Sequence, residues 1–443
     1  MRSESAAFIL QSMFADFRAK ETFGEVGNFL AGKDEYFGFG DWLRVFRTVP
    51  SLRRYLPLAL IWNGIAKPRE RTGYSERYLP GRKYNFAYRS FCTDFLVWES
   101  AVRAAAHFAL PLPDRAPAEL EAYFALARDN CYPVEYGGRV LSMYSYYPRR
   151  DHRVDPRSEV YRLFFSRDDN VPDIDTTCLI LGSCLTLMEA MRLPASAYRH
   201  DGTETDGLLD LMADHVHGAG AYGRGSLSYL NGAGPDDRGV LTWVFDHHNE
   251  IDPTSNVNIL NYLFRIRSVH PGAPADRIEG LSRGILRFLA NHARQGDLLD
   301  QRFQSYYPLG PSVFFWRRLA LGWEALDPGM RTRLDPEGDM ARIDAYMVAE
   351  TRRLFTAPPR PFHDYDFLAC APFLYERGVL RERIRDWLGD AKRWMEHFRD
   401  NHYEIFHLRY PSKIICAPIH IPSACLLDLL TLVDKDTGDV DRV

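Results

Sequence analysis

Apolar residues recur at three- and four-residue spacing along most of this chain. That rhythm restricts it to helices packed on helices. The pattern is clearest at 118–130, 176–192, 207–216, 256–267, 276–294, 311–326, 339–356, 380–399 and 423–433, each run bounded by Pro, Gly or Asp. Strand signals are few. Residues 139–147 (RVLSMYSYY) form one extended piece that suits a hairpin or the edge of a pocket. About ten helices with longish, Pro-rich connections predict helix pairs in a ring or stack. No strict repeat marks a solenoid.

No low-complexity linker divides the 443 residues, so a single domain over 1–443 is expected. Residues 1–85 form an N-terminal helical extension or a loop over one end of that domain. Within them, 65–83 is basic and broken by Pro and Gly, and the last residues, VDKDTGDVDRV, read as a polar tail.

Net charge is −4, so no global basic excess points to nucleic acid or an anionic membrane. The seven Cys include no CxxC pair, which fits a reducing compartment without structural zinc. The first residues lack a basic region and a cleavage site, and no uninterrupted apolar run is long enough to span a bilayer. The expectation is a cytoplasmic protein with no transmembrane segment, and a homodimer stays open.

One segment carries chemistry. Residues 171–179 read VPDIDTTCL and begin a strongly apolar helix. Asp and Thr are good N-caps, and negative charge is favoured at a helix start, so a capping role accounts for the letters. The same letters suit a carboxylic acid held neutral by desolvation and a neighbouring carboxylate. Such an acid can protonate a carbon–carbon double bond. Asp173 and Asp175 supply the pair, and Thr176 and Thr177 can hydrogen-bond it without adding charge.

Asp173-Ile174-Asp175-Thr176-Thr177 resembles the Asp-X-Asp-Thr-Thr variant of the class II terpene cyclase motif, found in the subgroup that makes drimane-type sesquiterpenes. A second segment, 249–263 (NEIDPTSNVNILNYL), is similar to the helix that follows in these cyclases, where a polar residue faces the acid. The family often has His there, whereas this chain has Asn258, which can orient a carboxyl but cannot take its proton. The resemblance implies an all-α fold, an α/α barrel (toroid) of the terpene cyclase β-domain or squalene cyclase type. It implies Asp175 as proton donor, supported by Asp173, Thr176, Thr177 and Asn258. It also implies conversion of farnesyl diphosphate to a bicyclic drimenyl or albicanyl diphosphate, with the diphosphate retained and Mg²⁺ bound mainly through it.

Carbocations are stabilised by aromatic faces. Candidates are Trp243 and Phe245, Tyr306 and Tyr307, the run Phe314, Phe315 and Trp316, and Tyr365 with Phe367. Any one of them also serves as core. Arg265 is a candidate for the diphosphate, with Arg267, Arg69, Arg71, Arg82, Lys83, Arg149 and Arg150; for each, solvated surface is the plainer reading. No metal ligands can be assigned. Residues 246–250 (DHHNE) lack the His spacing of a zinc helix, and the glycines of 218–225 follow a helix rather than a strand, so neither forms a phosphate loop or a metal site. Two other classes stay open. A glycan-active α/α barrel would use paired carboxylates from Glu135, Asp175, Glu250 and Asp252. A non-catalytic helical scaffold would leave Asp173 and Asp175 facing solvent.

Overall fold

The structure is a computed structural model. It describes residues 3–7, 10, 91–112, 114, 116–118, 120, 121, 124, 131–144, 172–193, 202–222, 238–242, 244, 251–269, 272–299, 309–356, 363–388, 407–410, 413–415 and 421–438. The described part is mostly helical. Its helices are α1 (Phe91–His107), α2 (Ile174–Met191), α3 (Gly202–Asp214), α4 (Pro253–Val269), α5 (Ala275–Gln295) and α6 (Leu309–Glu324). The later ones are α7 (Pro328–Leu334), α8 (Asp339–Thr356), α9 (His363–Glu376), α10 (Arg381–Leu388) and α11 (Ile421–Gly438). Two short antiparallel hairpins accompany them, β1 (Tyr132–Tyr136) with β2 (Arg139–Met143) and β3 (His407–Tyr410) with β4 (Lys413–Ile415).

Six helices touch in a closed succession. α1 packs on α2, α2 on α4, α4 on α6, α6 on α9, α9 on α11, and α11 returns to α1. The others lie against this set. α5 packs on α4, α8, α7 and α3, while α8 and α10 pack on α9. The division follows sequence character. α5 carries a sharp apolar face, with Ile278, Leu281, Ile285, Leu289 and Phe288 buried and Arg, Asp and Gly outward. α2 and α4 bury most of their circumference, as helices inside a helical layer must.

α2 is long and apolar enough to cross a bilayer and is the only such helix among the described residues. It is a core helix here, packed between α1 and α4 with a buried carboxyl in its first turn.

The starts of α2 and α4 sit side by side because extended backbone laces them together. Ile174 N donates to Thr242 O at 2.8 Å, Asp173 N to Tyr144 O at 3.0 Å, and Leu241 bridges Ile251. Asn256 completes the lacing: its Oδ1 accepts from Val240 N at 2.8 Å and its Nδ2 donates to Val240 O at 2.9 Å. The segment read as extended at 139–147 supplies β2 and Tyr144, so it serves as hairpin and as edge of this junction.

Candidate active site

The two aspartates of the motif separate into different jobs. Asp173 is the N-cap of α2: its backbone is extended and its side chain accepts from Thr176 N. A cap of this kind stabilises the helix start by about 1 kcal/mol. Asp175 lies two residues later, inside the first turn, and is 4% exposed. Its carboxyl is gripped from the neighbouring helix. Asn258 Nδ2 donates to Oδ1 at 2.8 Å, and Ser255 Oγ donates to Oδ2 at 3.1 Å.

Ser255 and Asn258 reach the same carboxyl because three residues on a helix make nearly one turn, so both leave α4 on one face. α4 itself starts from a buried cap, Asp252, whose Oδ1 accepts from Ser255 N at 2.7 Å, followed by Pro253 at a position where proline loses no hydrogen bond. Thr177 does not bond the carboxyls. Its hydroxyl donates to Asp173 O at 2.6 Å and accepts from Tyr144 N at 3.0 Å, fixing the junction beneath the acid. Thr176 contributes its backbone to the cap and is buried.

Cys178 reports on the electrostatics. Burial first, and then the nearby Asp175 and Asp173 carboxyls, push its thiol well above the usual range. A negative charge on those acids is therefore felt across a buried, apolar turn of helix.

The chemistry that this arrangement allows is specific. Asn258 can only donate through the atom it presents, so Oδ1 must act as acceptor in either protonation state of Asp175. Oδ2 accepts from Ser255 Oγ. The Ser255 hydroxyl, donor and acceptor at once, can serve the acid and the anion. Asn258 was legible as a partner; Ser255 was not, because a lone hydroxyl one turn before it looks like any helix-start serine.

The aromatic and basic candidates scatter. Phe314, Phe315 and Trp316 are all buried, but successive residues on a helix point about 100° apart. Phe314 shares the face of Arg318, four residues on. Trp316 is turned the other way: its Nε1 donates to Asp344 of α8 at 3.1 Å, and its ring lines a small hollow with Val257, Leu298, Ile343 and Met347. That hollow has room for about one or two waters.

Arg265 stands away from the acid. It pairs with Glu189 at 3.1 Å, fourteen residues beyond Asp175 and about 21 Å along the helix at the standard rise. It stands at the opposite end of α2 from the acid, against exposed Glu189. Tyr365 lies in the first turn of α9, and Phe367 is buried against Phe355 and Trp387. Trp243, Phe245, Tyr306, Tyr307, Glu250, Arg69, Arg71, Arg82, Lys83, Arg149 and Arg150 lie outside the described residues, as does most of the 1–85 segment. Glu135 is exposed on β1, and Asp252 is committed to its cap. Among the described residues, no three His, Cys, Asp or Glu side chains gather as metal ligands.

No protein-family model matches this chain, and no curated protein or solved structure matches it significantly.

Proposed function

We propose that the chain is a class II terpene cyclase, an isomerase that starts ring closure by protonation, with Asp175 as the acid. The observation that carries the reading is the carboxyl of Asp175, buried in the first turn of α2 and held at both oxygens by side chains of α4. A solvent-facing cap, as a mere scaffold would have, does not account for that grip. We read the closed succession of six helices as the inner ring of an α/α barrel, with α3, α5, α8 and α10 among its outer helices.

In this reading the substrate is a linear prenyl diphosphate, farnesyl diphosphate first, and Mg²⁺ travels with the diphosphate. The proton on Oδ2 of Asp175 passes to the less substituted =CH– carbon of the distal alkene, leaving a tertiary carbocation on the dimethyl-bearing carbon. Internal alkenes attack in turn to close two rings, and loss of a proton from the last cation gives a drimane-type diphosphate. The carbon–oxygen bond to diphosphate stays intact. Asp175 ends as a carboxylate, stabilised by donors from Asn258 and Ser255, and Ser255 is a neighbour able to pass a proton back.

The test is Asp175→Asn, incubated with farnesyl and geranylgeranyl diphosphates and Mg²⁺, followed by dephosphorylation and mass analysis. Cyclised product should vanish while circular dichroism and substrate binding stay unchanged. Full turnover by that variant ends the reading, and the preferred substrate fixes the chain length. A glycan-active alternative would instead require Asp175 to act with a second free carboxylate, and Asp252 is already used as a cap.

A further inference from the structure

Below the acid, two adjacent arginines of α6 reach every other helix of the closed six. Arg318 forms a two-pronged pair with Glu99 of α1, Nε to Oε2 at 3.0 Å and Nη2 to Oε1 at 2.7 Å. Its Nη2 also donates to Ser183 Oγ of α2 at 2.9 Å. Asn261 of α4, its carboxamide oxygen turned toward the guanidinium, accepts from Nη1 at 2.8 Å. Arg317 turns to the remaining helices, pairing with Glu376 of α9 at 2.7 and 3.0 Å and with Asp428 of α11.

Along the closed succession α6 stands three places from α1 through α4 and α2, and on the other side it touches α9 and, more lightly, α11. The Arg318–Glu99 pair therefore crosses the interior. The pair and its two further partners are buried, with Arg318 at 8%, Glu99 at 3%, Ser183 at 0% and Asn261 at 3%. Small residues make the room: a Cβ on Gly182 or Gly322 would press on the Asn261 side chain.

We propose that Arg318 is the positioning residue for the Asp175 acid. It holds Ser183 and Asn261, and these sit on the two helices that bring Asp175 and Asn258 together. Ser183 is eight residues past Asp175, about 12 Å along α2, and Asn261 is three past Asn258, about 4.5 Å along α4. One planar group bonded to both fixes the height of α2 against α4. That height decides whether Asn258 Nδ2 meets Oδ1 and Ser255 Oγ meets Oδ2. Arg317, bonded to α9 and α11, has no such hold on either helix. The inference rests on Asp175 being the acid, and the test separates the two.

Arg318→Lys keeps the charge and loses the fork; Arg317→Lys does the same to the neighbour. Each is compared with wild type for kcat and KM on farnesyl diphosphate and for the ¹³Cγ resonance of Asp175, assigned by its loss in Asp175→Asn. Arg318→Lys should lower kcat by on the order of a hundredfold with KM within about twofold, the scale of an ångström of misplacement. It should also move the Asp175 resonance. Arg317→Lys should leave both unchanged. Should Arg318→Lys fail to fold, Glu99→Gln with Arg318→Met removes both buried charges together and is read the same way. An unmoved Asp175 resonance in the Arg318 variant overturns the proposal, and so does an equal loss in Arg317→Lys. If wild type forms no cyclised product, the cyclase reading fails on its own, and the resonance still decides whether Arg318 positions Asp175.

Discussion

At the scale of single residues, a carboxyl two positions from a helix cap is buried and claimed by another helix. That claim has a measurable energy. Asn258→Ala would leave Oδ1 of Asp175 buried without this donor, a loss of about 1–3 kcal/mol in urea unfolding. Ser255→Ala should cost less in stability but slow multiple turnovers more than the first one, since Ser255 is the proposed route for returning the proton. A burst equal to wild type followed by slow turnover would carry that role; equal slowing of both phases would remove it. Cys178 offers an independent probe. Burial and the two nearby carboxyls push its thiol up, so iodoacetamide at pH 8 should leave it unmodified until the chain is unfolded. Rapid native alkylation at Cys178, read by peptide mass, would mean that water reaches the turn below Asp175. The motif letters made Asp173 and Asp175 visible in the sequence, and the later Asn-Val-Asn segment made Asn258 visible. Arg318 and Glu99 stood 219 residues apart with no local pattern to join them, so their pairing was not legible.

At the scale of elements, the same capping chemistry is used twice. Asp173 starts α2 and Asp252 starts α4, and both caps are buried where the two helices meet. Asp173→Ala should cost about 1 kcal/mol of stability. It should also loosen the first turn that carries Asp175, seen as faster hydrogen exchange at Thr176 and Thr177 than in wild type. Exchange unchanged at both amides would mean that the Tyr144 and Thr242 backbone bonds hold the turn without the cap. Strongly periodic segments such as α8 and α2 could be read from the sequence nearly to their ends. α9 could not, for a physical reason. Residues 367–375 are all buried, so it has no polar face to set a period, and Pro372 sits inside it. The first hairpin was half legible. Its second strand alternates, while its first, YPVEY, carries a proline and a glutamate that argue against a strand.

At the scale of the whole molecule, buried Arg317 and Arg318, with the more exposed Arg103 at their edge, face Glu99, Glu376 and Asp428, three charges of each sign. Burying ions is costly, and neutrality together with two-pronged geometry is what makes this arrangement tolerable. Asp428 is the member that acid reaches most informatively. Burial alone would raise its carboxyl, but Arg103 and Arg317 outweigh burial and hold it below its ordinary value of 3.8. A folded value below the unfolded one means that its stabilisation is complete above pH 3.8 and is lost as pH falls through the lower folded value. His215 acts earlier on the same scale: burial holds its imidazole below 6.5, so protonation from pH 6.5 downward already favours the unfolded chain. The two are separable by difference. Asp428→Asn should lose about 1–3 kcal/mol at pH 7, because Arg317 keeps Glu376 but loses its second carboxylate. Its decline between pH 7 and 5 should parallel wild type, since His215 is intact in both. Below pH 4 the wild-type curve should fall toward the variant. Urea midpoints at half-unit pH steps read this directly, and curves that stay parallel down to pH 3 would show that Asp428 is not what ties α11 to α6.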